Sequence, residues 1–162
     1  MDAPPPSLLD RLADDDPSSR AESAAAAHIA ARRMREILRR DIAAILGAIR
    51  LSDVVDLGDR PRILNSVLNF GVCDFSGRSA DQIDPGRIAT ELREAILAYE
   101  PRIRPDTLKV DVEPPGEGDR RGVVGMSVEG VYEAAGETVS VSAEIHLETG
   151  AVYVLDVAGE GR

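Results

Sequence analysis

The chain has 162 residues, of which 43% are hydrophobic and 30% charged, with a formal net charge of −10 and only 3% aromatic side chains. That length fits one domain with a core of ordinary size. The acidity disfavours nonspecific adhesion to nucleic acid or anionic lipid, the absence of Trp argues against a base-stacking site, and the single Cys73 rules out an internal disulfide. No apolar run approaches the ~20 residues of a membrane span. The opening MDAPPPSLLD lacks the basic-then-apolar order of a signal peptide, so a cytoplasmic protein is expected.

Residues 1–20 read as a flexible tail, because Pro4, Pro5 and Pro6 favour polyproline geometry and ADDDPSSR is turn-like. Between these, SLLDRL places Leu8, Leu9 and Leu12 on one side of a single capped turn. It is either a frayed end or a short hook that orders on a partner or on its own domain. Residues 21–162 then read as one domain. From 21 to about 49, Met34, Ile37, Leu38, Ile42, Ile45, Leu46 and Ile49 recur at helical spacing. Arg32, Arg33, Arg35, Arg39 and Arg40 fall off that stripe with Glu36 and Asp41 among them. This reads as a solvated helix face, or one touching an acidic protein, rather than a nucleic-acid surface.

LSDVVDLGDRP reads as a loop, and Ile63, Val67, Leu68 and Phe70 fit a short helix and a strand equally well. A second amphipathic helix is predicted from Arg87 to Tyr99, with Ile88, Leu92, Ala95, Ile96 and Tyr99 on one face. It is stopped by Pro101. The period then changes to two. LKVDV, VVGMSVEGVY, TVSVSAEIHLE and AVYVLDV read as strands, and the turns EAAGE and ETG join the last three into an antiparallel meander. The expected class is α+β, with N-terminal amphipathic helices packed on a small, mainly antiparallel C-terminal sheet.

No glycine-rich phosphate loop and no Cys/His cluster of metal-ligand spacing is present, so no metal or cofactor is expected. His28 and His146 read as surface residues, and nothing indicates a base beside Cys73. The conspicuous stretch is YEPRIRP, residues 99–105, which carries a carboxylate, a proline and two arginines out of a helix. It suits a structural ion pair, a catalytic carboxylate or a docking point. A general acid needs a carboxyl that holds its proton through apolar burial. Arg102 lies two residues from Glu100 in extended chain, on the same side, and a close cation acts in the opposite sense. The catalytic reading loses on that ground; the other two stay open.

PSLLDRLADDDP, SVLNFGVCDFSG and YEPRI, in that order, resemble TssE, the family of small baseplate subunits in bacterial type VI secretion systems. TssE is itself similar to the baseplate wedge protein of contractile phage tails, a family long labelled lysozyme-like. The resemblance runs from about Pro6 to the final strands, and SLLDRL matches the secretion branch in particular. Cys73 departs from the pattern, standing where the family has proline before the acid, which loosens one turn. The resemblance implies a non-enzymatic assembly subunit, cytoplasmic and held at the baseplate near the inner membrane. The implied partners are TssF, TssG and TssK, and the sheath subunits TssB and TssC, whose strands add to its sheet and start polymerisation. No nucleic acid and no membrane insertion are implied. Glu100, Pro101 and Arg102 match the family's Glu-Pro-Arg anchor to partner helices, with Arg104 a weaker candidate beside them. AVYVLDV is a candidate for the edge strand that the sheath extends. A phage or tail-like bacteriocin wedge protein and a peptidoglycan hydrolase are the alternative readings.

Overall fold

The computed structural model describes residues 24–116, 122–132 and 136–155. The SLLDRL segment, the ADDDPSSR stretch and the His28 side chain lie outside the described parts. The first described element is helix α1 (Ala24–Gly47). Its stripe of Met34, Ile37, Leu38, Ile42, Ile45 and Leu46 is buried, as the three- and four-residue spacing requires.

Between the two long helices the chain makes short helical turns. The stretch expected as a loop opens with α2 (Leu51–Val54), closed by the Val55 N–H donating to the Leu51 carbonyl at 2.9 Å. The ambiguous segment after it is helical as well: α3 (Pro61–Leu64), then a 3-10 turn at Val67–Asn69. Proline at the first helical position of α3 and the Ser66 hydroxyl accepting from Leu68 N–H favour helix starts here. Val67 and Leu68 are exposed, so this segment has no apolar face to bury against a sheet.

The SVLNFGVCDFSG stretch then stitches the helices together. Val72 forms a parallel bridge with Ile49, and the Val72 N–H donates to the Ala48 carbonyl at 2.8 Å. Gly71 permits that approach. Its φ is +119°, and a Cβ there would lie 2.3 Å from the Ala48 oxygen. Asn69 holds three partners: its Oδ1 accepts from Ser52 N–H at 2.9 Å, its Nδ2 donates to the Leu64 carbonyl, and its own carbonyl accepts from the Tyr99 hydroxyl. A 3-10 turn at Ala80–Gln82 leads to α4 (Pro85–Tyr99). Asp84 caps α4 through Gly86 and Arg87 N–H, and Ile88, Leu92 and Ile96 are buried.

Among the described residues the sheet has four strands, β1 (Lys109–Val112), β2 (Val123–Tyr132), β3 (Glu137–His146) and β4 (Val152–Leu155), all antiparallel in that order. Register places Met126 opposite Ala143 and Val128 opposite Val141 on the core face, with Ser127 opposite Ser142 on the outer face. The described helices pack on the core face. This is the α+β arrangement expected, with β1 and β4 at the two edges. The end of β1 is bordered by α4, whose Arg93 donates to the Pro105 and Leu108 carbonyls at 2.8 and 3.4 Å. On β4, by contrast, Tyr153, Val154 and Leu155 are exposed.

Candidate functional site

The YEPRIRP stretch forms the corner between α4 and the sheet. Helix α4 ends when the Glu100 N–H donates to the Ile96 carbonyl at 2.7 Å, because Pro101 cannot continue the ladder. The chain then lies along the end of β2. Ile103 bridges Tyr132, and the Arg104 N–H donates to the Val131 carbonyl at 3.0 Å. Gly130 makes that contact possible, since a Cβ at this position would fall 2.6 Å from Ile103 Cγ2.

This backbone path turns Glu100 and Arg102 inward. Glu100 is 1% exposed and Arg102 8%, and these are the only buried charged residues among those described. Arg102 Nε donates to Glu100 Oε1 at 2.6 Å and Nη2 to Oε2 at 2.5 Å, a two-pronged pair, while the Arg102 N–H adds a third bond to Oε1 at 3.2 Å. Nη2 also donates to Asp41 Oδ2 on α1 at 2.5 Å. The guanidinium therefore ties α1 to the corner across 61 positions of sequence. Hydrogen bonding to Glu100 outweighs burial and holds the Arg102 proton more tightly than usual. Nη1 is buried and has no hydrogen-bond partner among the described residues.

The sequence let Glu100 and Arg102 share a side of an extended chain; they do meet, but across a turn in which the Ile103 N–H donates to the Glu100 carbonyl at 3.3 Å. The sequence did not predict Asp41; the only signal was an acid at the border of an apolar stripe. Pro101 and Arg104, the other two candidates, are exposed. Arg104 pairs with Asp106 at 2.6 Å rather than with the buried cluster. A carboxylate whose two oxygens both accept from one guanidinium is built to be an acceptor, not to deliver a proton. Cys73 is equally unsuited to chemistry. Burial pushes its thiol up to about 12, and a hydrogen bond to Glu91 adds to the effect. His146 lies on the outer face of β3, edge-on to Tyr153 with ring centroids 4.8 Å apart. Among the described residues no group of three or more His, Cys, Asp or Glu side chains is placed to hold a metal. No described helix is long and apolar enough to cross a membrane.

Fold and corner together define a small α+β protein whose charged site is built inward, as a brace, with a proline and an arginine left facing out. The family model for baseplate wedge protein gp25 matches residues 32–137, well over half of the chain, and the protein belongs to that family. Membership supports a structural role in a phage-like or tail-like baseplate. A crystal structure from Geobacter sulfurreducens, provisionally described as a tail lysozyme, is similar at 21% identity and a TM-score of 0.48, covering 82% of this chain and 100% of that one. A likeness at that level carries no argument about fold or activity. No curated protein matches significantly.

Proposed function

We propose that this chain is a non-enzymatic wedge subunit of a type VI secretion baseplate, cytoplasmic and stationed near the inner membrane. It docks on TssF and TssG, within reach of TssK, through the corner at Glu100–Arg104 and seeds the TssB/TssC sheath by strand addition. Residues 21–162 act as one domain in this reading. The observation that carries it is the division of labour at the corner: a buried Glu100–Arg102 pair holds exposed Pro101 and Arg104 in one orientation. Such an element loses little freedom on docking, so contact energy is not spent on ordering it. The buried Nη1 is a further donor that a partner's acceptor can satisfy once the corner is covered. For the sheath, support comes from β4, a short outermost strand with three exposed apolar side chains, the kind of margin that strand addition uses.

The test is co-purification with TssF and TssG. Glu100→Gln, Arg102→Ala and Arg104→Glu proteins that keep native circular dichroism are expected to lose the complex. Retention of the complex by all three would contradict docking at the corner. Cell-wall-degrading activity that one carboxylate substitution abolishes would favour a hydrolase instead. A phage wedge role would be favoured if neighbouring genes formed a tail operon rather than a secretion cluster.

A further inference from the structure

The charge of this chain is unevenly distributed. Residues 32–41, RRMREILRRD, hold five arginines against Glu36 and Asp41, a net of +3, so the remainder of a chain of −10 totals −13. The helical register of α1 sets the direction of this charge. Met34, Ile37, Leu38 and Ile42 face the core, which turns Arg33, Arg35, Arg39 and Arg40 away from it. Arg35 meets Glu137 at 3.5 Å and still has 47% of its side chain exposed; Arg40 holds Asp41 at 2.7 Å with 59% exposed. Arg35 and Arg40 thus stay accessible from solvent beside their partners, and on this face Arg33, Arg35, Arg39 and Arg40 outnumber Glu36, Asp41 and Glu137.

We propose that this outward arginine face of α1 is a docking surface for an acidic protein segment. The face spans eight residues from Arg33 to Arg40, roughly 10 Å of helix, which suits two turns of a helix or a short strand bearing carboxylates. Planar guanidinium groups favour carboxylate partners held by two bonds. A long polyanion is a poorer occupant, since the −13 carried elsewhere repels it beyond the first few contacts. The face is continuous with the corner, because Asp41 accepts from Arg40 on one side and from Arg102 on the other. In placing the partner beside the corner, the inference rests on the docking role proposed above, whereas its charge argument does not.

The probes are a fluorescein-labelled oligoglutamate peptide and a DNA duplex of equal charge, titrated by anisotropy into the full chain. The peptide is expected to bind at about 0.05 M salt and to weaken about tenfold by 0.3 M. Its shifts in nuclear magnetic resonance should map to residues 33–40, and Arg35→Glu/Arg39→Glu/Arg40→Glu should lower affinity at least about tenfold. The neutral variant Arg35→Gln/Arg39→Gln/Arg40→Gln, which removes any risk from repulsion within the helix, should fall between. No peptide binding, equal binding by the variants, or tighter binding of DNA overturns the proposal. The charge-reversed protein is then tested for co-purification with TssF and TssG. A complex lost by the corner variants but kept by the arginine variant overturns this inference and leaves the corner in place. A complex kept by the corner variants removes the docking role, and the peptide titration alone then decides the arginine face.

Discussion

The corner carries two acid–arginine pairs of the same local design. Glu100 and Arg102 are separated by one residue and meet at 2.5 Å; Arg104 and Asp106 are separated by one residue and meet at 2.6 Å. They differ in surroundings. The first pair has side chains 1% and 10% exposed, the second 64% and 48%. Spacing in the sequence makes the pairs, but burial decides what each does. In water the ions are almost as well solvated apart as together. Inside the protein each ion depends on the other, because neither can return to solvent when its partner is removed.

Five substitutions sharpen or break that contrast. Arg102→Ala strands the Glu100 carboxylate, and denaturant unfolding should show a loss of about 3–5 kcal/mol. The double change Glu100→Leu/Arg102→Met should recover most of it, since paired ions and packed apolar groups are close in stability. The same contrast governs pH. Cys73, 2% exposed, has a thiol raised from 9.0 to about 12. The folded chain keeps that proton where the unfolded chain releases it. The contribution is therefore complete below pH 9 and lost as pH rises toward 12, at about 1 kcal/mol per unit. Cys73→Ala should flatten this alkaline limb in a stability–pH series.

Exposed Asp106 has the opposite sign. The bond from Arg104 lowers its pKa, so its small contribution is present above the unfolded value and lost in acid. Asp41→Asn removes the third, half-open member of the buried cluster and should cost about 1 kcal/mol in the same assay. Arg104→Ala should change stability by less than about 0.5 kcal/mol, whatever it does to binding. A stability loss at Arg104 as large as that at Arg102 would break the comparison.

Helix and strand types were legible where the period was sustained: six of the seven predicted apolar positions lie buried in α1, whereas Ile49 falls past its end and is exposed, and alternation from Val139 to Leu147 marks β3. Between Ile63 and Phe70 the apolar residues are too few for a period, and the helical turns at Pro61–Leu64 and Val67–Asn69 follow from Pro61 and Ser66 instead. The Glu100–Arg102 contact was legible because it is local. Asp41 and Gly130 were not, because the first acts across 61 residues and the second only by making room for Ile103. Sheet order cannot be read from spacing, so AVYVLDV was only a candidate edge strand; the topology has β1 at one edge and β4 at the other. Its exposed side chains lead to a further expectation. The isolated protein should self-associate as concentration rises in sedimentation velocity, and a monomer at every concentration would argue against an open margin.

The most direct test of the account is a cryo-electron microscopy map of the assembled baseplate containing this chain. The account predicts Pro101 and Arg104 beneath a neighbouring subunit, with the Glu100–Arg102 pair unchanged below them. A map in which that corner faces solvent, with no other subunit in contact, would contradict it.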